Sequence, residues 1–131
     1  VSMLTIGANA SGETASISGE QMVIQPRWDD ASTVNCTISF TSGSKNANIN
    51  ACISGRSGTT SITATLTLYK GSGDNLTYMK SWVLSGTQLM LFTDSSYACA
   101  SGSTYTLKLS GTVYRNGNSE AVSDSDYAVC P

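Results

Sequence analysis

Histidine is absent from this chain, and its absence removes whole classes of chemistry. Ser-His-Asp triads, Cys-His nucleophile pairs and zinc sites built on imidazole all need that ring. Positive charge is scarce too: seven Lys and Arg stand against nine Asp and Glu, with a net charge of −2 and a sequence pI near 4.8. Nucleic-acid-binding domains concentrate Lys and Arg on one face, so nucleic acid is not an expected partner. No apolar run approaches the roughly 18 residues of a membrane-spanning helix, so no transmembrane segment is expected. No C-x-x-C or other close cysteine pair suggests a metal knuckle or a redox centre, and no motif calls for a cofactor. The chain begins at Val1 rather than Met and shows no signal-type apolar stretch, which fits the mature form of an exported protein.

What is present is 131 residues, 40% of them hydrophobic, enough for one domain with a real core. Only 12% are charged, while Ser and Thr together exceed a quarter of the chain, so the polar surface must consist mainly of hydroxyls, amides and glycine. That composition suits a secreted β protein. The four cysteines, Cys36, Cys52, Cys99 and Cys130, are even in number and widely spaced, which points to disulfides in an oxidising compartment.

Residues 1–31 show no sustained period and read as a flexible leader with one short edge strand near Met22-Val23-Ile24; residues 32–131 read as the folded domain. There the period is two. Val34, Cys36, Ile38 and Phe40 alternate with Thr33, Asn35, Thr37 and Ser39, and after a Ser42-Gly43-Ser44 turn Ala47, Ile49, Ala51 and Ile53 do the same. Ile62, Ala64, Leu66 and Leu68 alternate with threonines up to Tyr69, and Gly71-Ser72-Gly73-Asp74-Asn75 closes a hairpin. An even register places Tyr78 opposite Tyr69, Lys80 opposite Thr67 and Trp82 opposite Thr65, with Met79, Ser81 and Val83 inward. Leu89 to Thr93 form a short strand whose inward face is ambiguous, because four apolar residues are consecutive. Tyr105, Leu107, Leu109, Gly111 and Val113 alternate again, Asn116-Gly117 marks a turn, and a last strand runs to Val129. The expected fold is all-β: an antiparallel, immunoglobulin-like sandwich of about seven strands, with a small closed barrel as the alternative.

The segments Gly102-Ser103-Thr104-Tyr105-Thr106-Leu107-Lys108-Leu109 and Tyr114-Arg115-Asn116-Gly117-Asn118-Ser119-Glu120 resemble the F strand, FG turn and G-strand start of fibronectin type III and immunoglobulin-like sandwiches. The resemblance gives Tyr105 the tyrosine-corner position, its hydroxyl bonded to backbone near the preceding corner. The wider span 55–121 is similar to small secreted proteins of Gram-positive bacteria that have no assigned activity. That similarity implies export and a sandwich, and carries over no catalytic residue.

If the strands around residues 42–45 pair, Cys36 falls near Cys52, and Cys99 and Cys130 flank the last hairpin, so the favoured disulfides are Cys36–Cys52 and Cys99–Cys130. Cys36 and Cys52 lie on opposite phases of their strands, however, so their pairing needs a bulge, and Cys36–Cys130 remains a competitor. Asp29-Asp30 and Asp124-Ser125-Asp126 are the only tight carboxylate clusters. They lack the ligand spacing of a calcium loop and read as solvated charge. Tyr69, Tyr78, Lys80 and Trp82 gather on one outward face in the register above, forming an aromatic ledge suited to a glycan or another protein's surface. Trp82 belonging to the core, or lying under Trp28 of the leader, is the competing reading. The expected role is a secreted or cell-surface, non-enzymatic binding domain; a small secreted effector, such as an enzyme inhibitor, toxin or antimicrobial protein, is the alternative.

Overall fold

The computed structural model describes residues 28–131 in full and, before them, the backbone of an antiparallel hairpin of β1 (Thr14–Ser18) and β2 (Gln21–Gln25). Flexibility of the leader concerns residues outside those fully described. Its last four residues, 28–31, belong to the folded body instead. The N–H groups of Asp29 and Asp30 donate to Glu120 Oε2 and Oε1 at 2.8 and 2.7 Å, that of Ala31 reaches Oε1 at 3.2 Å, and Arg115 Nη1 pairs with Asp30 Oδ1 at 3.2 Å.

Seven antiparallel strands form two facing sheets, and no helix occurs among the described residues. β3 (Ala31–Phe40), β4 (Asn46–Gly55) and β7 (Leu89–Ala98) make one sheet in the order β3-β4-β7. β5 (Thr59–Ser72), β6 (Asn75–Gly86), β8 (Thr104–Arg115) and β9 (Asn118–Val129) make the other in the order β6-β5-β8-β9. The architecture is a β-sandwich. The period-two residues meet in the middle: Ile38, Ile49 and Ile53 from one sheet, and Ile62, Leu66, Leu68, Leu107, Leu109 and Val113 from the other, are all buried. Each such side chain contributes about 1.5–3 kcal/mol by leaving water.

Two local features tune this packing. Gly111 pairs with Ala64, and a Cβ on it would lie 2.7 Å from the Thr63 carbonyl oxygen and 3.1 Å from Ile53 Cδ1 of the facing sheet, so only glycine allows the sheets this approach. Asn116 and Gly117 both have positive φ, 51° and 81°, the requirement of the tight two-residue turn that joins β8 to β9. The ambiguous run in β7 resolves through its pairing: Met90 and Phe92 lie opposite Ile53 and Ala51 and turn inward, leaving Leu89 and Leu91 exposed. At the corner between β7 and β8, Ala100 N–H donates to the buried Tyr105 hydroxyl at 2.8 Å.

The carboxylates of β9 overturn their reading as solvated charge. Asp124 and Asp126 are two residues apart, so both side chains leave the strand on the same side. Asp124 Oδ2 accepts from Cys36 N–H at 2.9 Å, and Asp126 Oδ2 from Ile38 N–H at 3.0 Å. Together with Glu120, they supply side-chain acceptors to the backbone donors that β3, an edge strand, turns away from β4. An edge strand's unpaired donors otherwise invite another chain. The two sheets are thereby clasped along the β3–β9 margin without a shared backbone ladder.

Burial pushes the Asp124 carboxyl above its ordinary range; the Cys36 N–H bond opposes this and the Asp126 charge adds to it. A raised folded value means the native state holds this proton while the unfolded chain has released it. This group's contribution to stability therefore falls as pH rises from the unfolded carboxylate value, about 3.9, through the higher folded one. Asp124→Asn keeps an acceptor for Cys36 N–H and removes the buried charge. Its stability relative to wild type, from urea melts, is expected to be most favourable at neutral pH and to decline towards pH 3. Asp124→Ala, which strands the donor, should cost about 1–3 kcal/mol.

Candidate functional site

The four aromatic and basic residues nominated from the sequence do not form one ledge. Tyr69 does pair with Tyr78, but Leu68 pairs with Lys80 and Leu66 with Trp82, because a β-bulge at Met79 inserts one extra residue into β6. A one-residue slip reverses every later side chain. Lys80 and Trp82 therefore turn towards the facing sheet, Ser81 and Val83 turn outward, and Val83 is 86% exposed. Met79 packs against the core as expected.

Trp82 sits at the margin between β6 and β7, its ring centroid 5.6 Å from that of Phe92 and tilted by 47°, with Lys80 Nζ 5.4 Å from the indole centroid. It is partly buried against the core. Asp94, on β7, has its carboxyl held below the ordinary range, first by the Ser96 hydroxyl at 2.7 Å, with the Lys80 charge adding to the effect. This group closes the second margin of the sandwich through side chains. Trp82 is a structural residue.

The register of the four-stranded sheet assembles a different surface on its outer face. Tyr78, Tyr69, Thr106 and Tyr127 lie in one row across β6, β5, β8 and β9. Behind it run Ser81, Thr67, Lys108 and Ser125, then Val83, Thr65, Ser110 and Ser123, then Ser85, Thr63, Thr112 and Ala121. Strand and residue spacings make this a patch of roughly 15 by 20 Å. Its side chains are almost all hydroxyls, with one cation and no acid. The row is not flat: the Tyr69 and Tyr78 rings meet edge to face, 6.5 Å apart at 81°, and the Tyr78 hydroxyl is 3.0 Å from Ser81 Oγ. Lys108 Nζ lies 5.8 Å from the Tyr69 centroid, and Thr106 Oγ1 donates to the Gly71 carbonyl at 2.8 Å, fixing the middle of the row. Tyr78 and Tyr127 are 60% and 69% exposed. Tyr127 and Lys108 escape a sequence reading confined to one hairpin; the signal for Tyr127 is its odd-numbered phase, shared with Ser123 and Ser125.

Elsewhere the surface offers less. A shallow hollow of about 340 Å³ on the outside of the three-stranded sheet is lined by Asn35, Asn50, Cys52, Leu91 and Thr93, among others, and its one titratable group is the Cys52 thiol. No group of three or more potential metal ligands is assembled among the described residues. No helix there is long and apolar enough to cross a membrane.

All four cysteines are free thiols. Cys36 lies opposite Ala51 and Cys52 opposite Asn35, in a register that shifts only between Ala31 and Thr33. The two sulfurs leave opposite faces of the sheet, so the favoured Cys36–Cys52 bond has no geometric route. Cys36 is buried, and its thiol is pushed far up, first by burial and then by Asp124 and Asp126, which leaves it inert.

Trp82→Ala should destabilise the protein by roughly 2 kcal/mol, less than the roughly 3–5 kcal/mol of a fully buried aromatic. Tyr78→Ala and Tyr127→Ala should stay within about 0.5 kcal/mol of wild type. Guanidinium melts of the three variants check the division between structural and surface aromatics.

Comparison of the chain with family models, with curated proteins and with solved structures finds no match.

Proposed function

We propose that this protein is a secreted or cell-surface, non-enzymatic binding domain that engages a glycan through the outer face of its four-stranded sheet. The observation that carries this reading is the row Tyr78, Tyr69, Thr106 and Tyr127 at the head of a hydroxyl-covered patch. A sugar ring has an apolar C–H face and a rim of hydroxyls. Tyrosine rings offer the complementary apolar surface, and Ser and Thr hydroxyls act as donor or acceptor by rotation, matching either role of a sugar hydroxyl. The near absence of charge avoids the desolvation cost that a carboxylate or ammonium would add on covering the face.

An immunoglobulin-like classification of the sandwich belongs to the same proposal. It is supported by the division into three and four strands in the orders β3-β4-β7 and β6-β5-β8-β9, and by the Ala100 to Tyr105 hydroxyl bond at the corner. Export, and an origin among small secreted proteins of Gram-positive bacteria, is supported by the low charge, the hydroxyl-rich surface and the resemblance of span 55–121. The absence of histidine supports a binding rather than a catalytic role.

Glycan-array binding of wild type, Tyr78→Ala and Tyr127→Ala tests the proposal. The expected result is binding to a restricted set of neutral glycans, weakened about tenfold or more by Tyr127→Ala, corresponding to about 1.4 kcal/mol, with an unchanged melting temperature. Binding that is absent, or indifferent to both tyrosines, overturns it; capture of a protein partner through the same tyrosines would replace the glycan with a protein.

A further inference from the structure

We infer that Cys99 and Cys130 are a disulfide site that joins the two sheets covalently, while Cys36 and Cys52 stay thiols. The two cysteines follow strands of different sheets, β7 and β9, yet meet at one backbone carbonyl. Cys99 N–H donates to the Lys45 oxygen at 2.8 Å, and Cys130 Sγ lies 3.9 Å from that same oxygen. The backbone holds them there: Gly102 N–H donates to the Cys130 carbonyl at 2.8 Å, and Cys130 N–H to the Ser103 carbonyl at 2.9 Å. Both residues are buried, 9% and 1% exposed, with Cys99 Sγ 3.9 Å from the Tyr97 oxygen and Cys130 Sγ 3.8 Å from the Pro131 oxygen, so the bond forms while the chain folds, before burial shuts out an oxidant. The Cys99 thiol is pushed up first by burial and second by the neighbouring Cys130.

The other cysteines are kept out of this chemistry by position. Cys36 sits mid-strand on β3, four residues or roughly 13 Å from the end of that strand nearest the Lys45 turn. Cys52 points out of the opposite face of its sheet, into the shallow hollow.

The step is a thiol–disulfide exchange with a small disulfide such as oxidised glutathione. One cysteine thiolate attacks the oxidant's S–S bond, releasing one glutathione thiolate and forming a mixed disulfide. The second cysteine thiolate then displaces the other glutathione, forming the Cys99–Cys130 bond. The protein loses two electrons and two protons, and the oxidant is reduced to two thiols.

All four cysteines fall in different tryptic peptides, 28–45, 46–56, 81–108 and 116–131, so connectivity can be read directly. After reduction, unfolding and refolding in oxidised glutathione, the intact protein should lose about 2 Da. Non-reducing digestion should yield peptide 81–108 linked to 116–131, and denatured alkylation should label Cys36 and Cys52 alone. Dithiothreitol should lower the melting temperature by roughly 10 °C, with no such shift in a Cys99→Ser/Cys130→Ser variant. Native alkylation of wild type, which should label Cys52 first, provides a readout if that variant fails to fold. Four labelled cysteines after oxidation, a linked peptide containing residue 36 or 52, or a bond whose reduction leaves the melting temperature unmoved would each overturn the inference.

Discussion

The backbone donors along the free margin of β3 set the terms for the rest of the molecule. A three-stranded sheet facing a four-stranded one has edges that meet no backbone partner, and β3 lies on such an edge. Here β9 supplies carboxylates: Glu120 to the entry of β3, Asp124 to Cys36 and Asp126 to Ile38. A charge-assisted bond to a backbone N–H is stronger than a neutral one, and at Asp124 it offsets only part of the cost of drawing the carboxylate out of water. The clasp does the work of a backbone ladder while letting β9 remain part of the other sheet. It also accounts for where much of the small acidic complement goes, with Asp30 tied to Arg115 beside it.

With one margin held by acids and the other by Trp82, Phe92 and the Lys80 side chain, the inward faces are fully occupied. The outward face of the four-stranded sheet carries none of these duties. Its residues can be hydroxyls and tyrosines because neither margin draws on them, which leaves a broad patch nearly free of charge. The tyrosine row lies near the end where Cys99 and Cys130 meet, since Tyr127 precedes Cys130 by three residues and Thr106 follows Ser103 by three. A covalent tie there would hold β9 in place under the outermost tyrosine.

The core was legible in the sequence wherever period two ran unbroken. Ile62 to Leu68, Ala47 to Ile53 and Tyr105 to Val113 carry the signal plainly, because each alternates with Ser, Thr, Asn, Lys or, at Cys52, a cysteine, and the sandwich follows from them. The Tyr69–Tyr78 pair was legible because the Gly71 to Asn75 turn fixes the register locally. Beyond Met79 the reading failed, since a bulge leaves no compositional mark and reverses the face of Lys80 and Trp82. The ambiguous run in β7 needed its partner strand. Asp124 and Asp126 were misread for a different reason: a strand's period shows which side chains share a face, but not whether that face looks onto water or onto a neighbour's unpaired backbone. The Cys36–Cys52 pairing failed because the register has no offset where one was required.

Native-state hydrogen exchange at the backbone amides of Cys36 and Ile38 tests the clasp most directly. If Asp124 and Asp126 close the margin, both amides should be protected to nearly the same degree as the central amides of β5 and β8, opening only with global unfolding. Exchange of both at the rate of a solvent-exposed edge amide would contradict the account, because β3 would then be a free edge and the sandwich would be held together by its apolar interior alone.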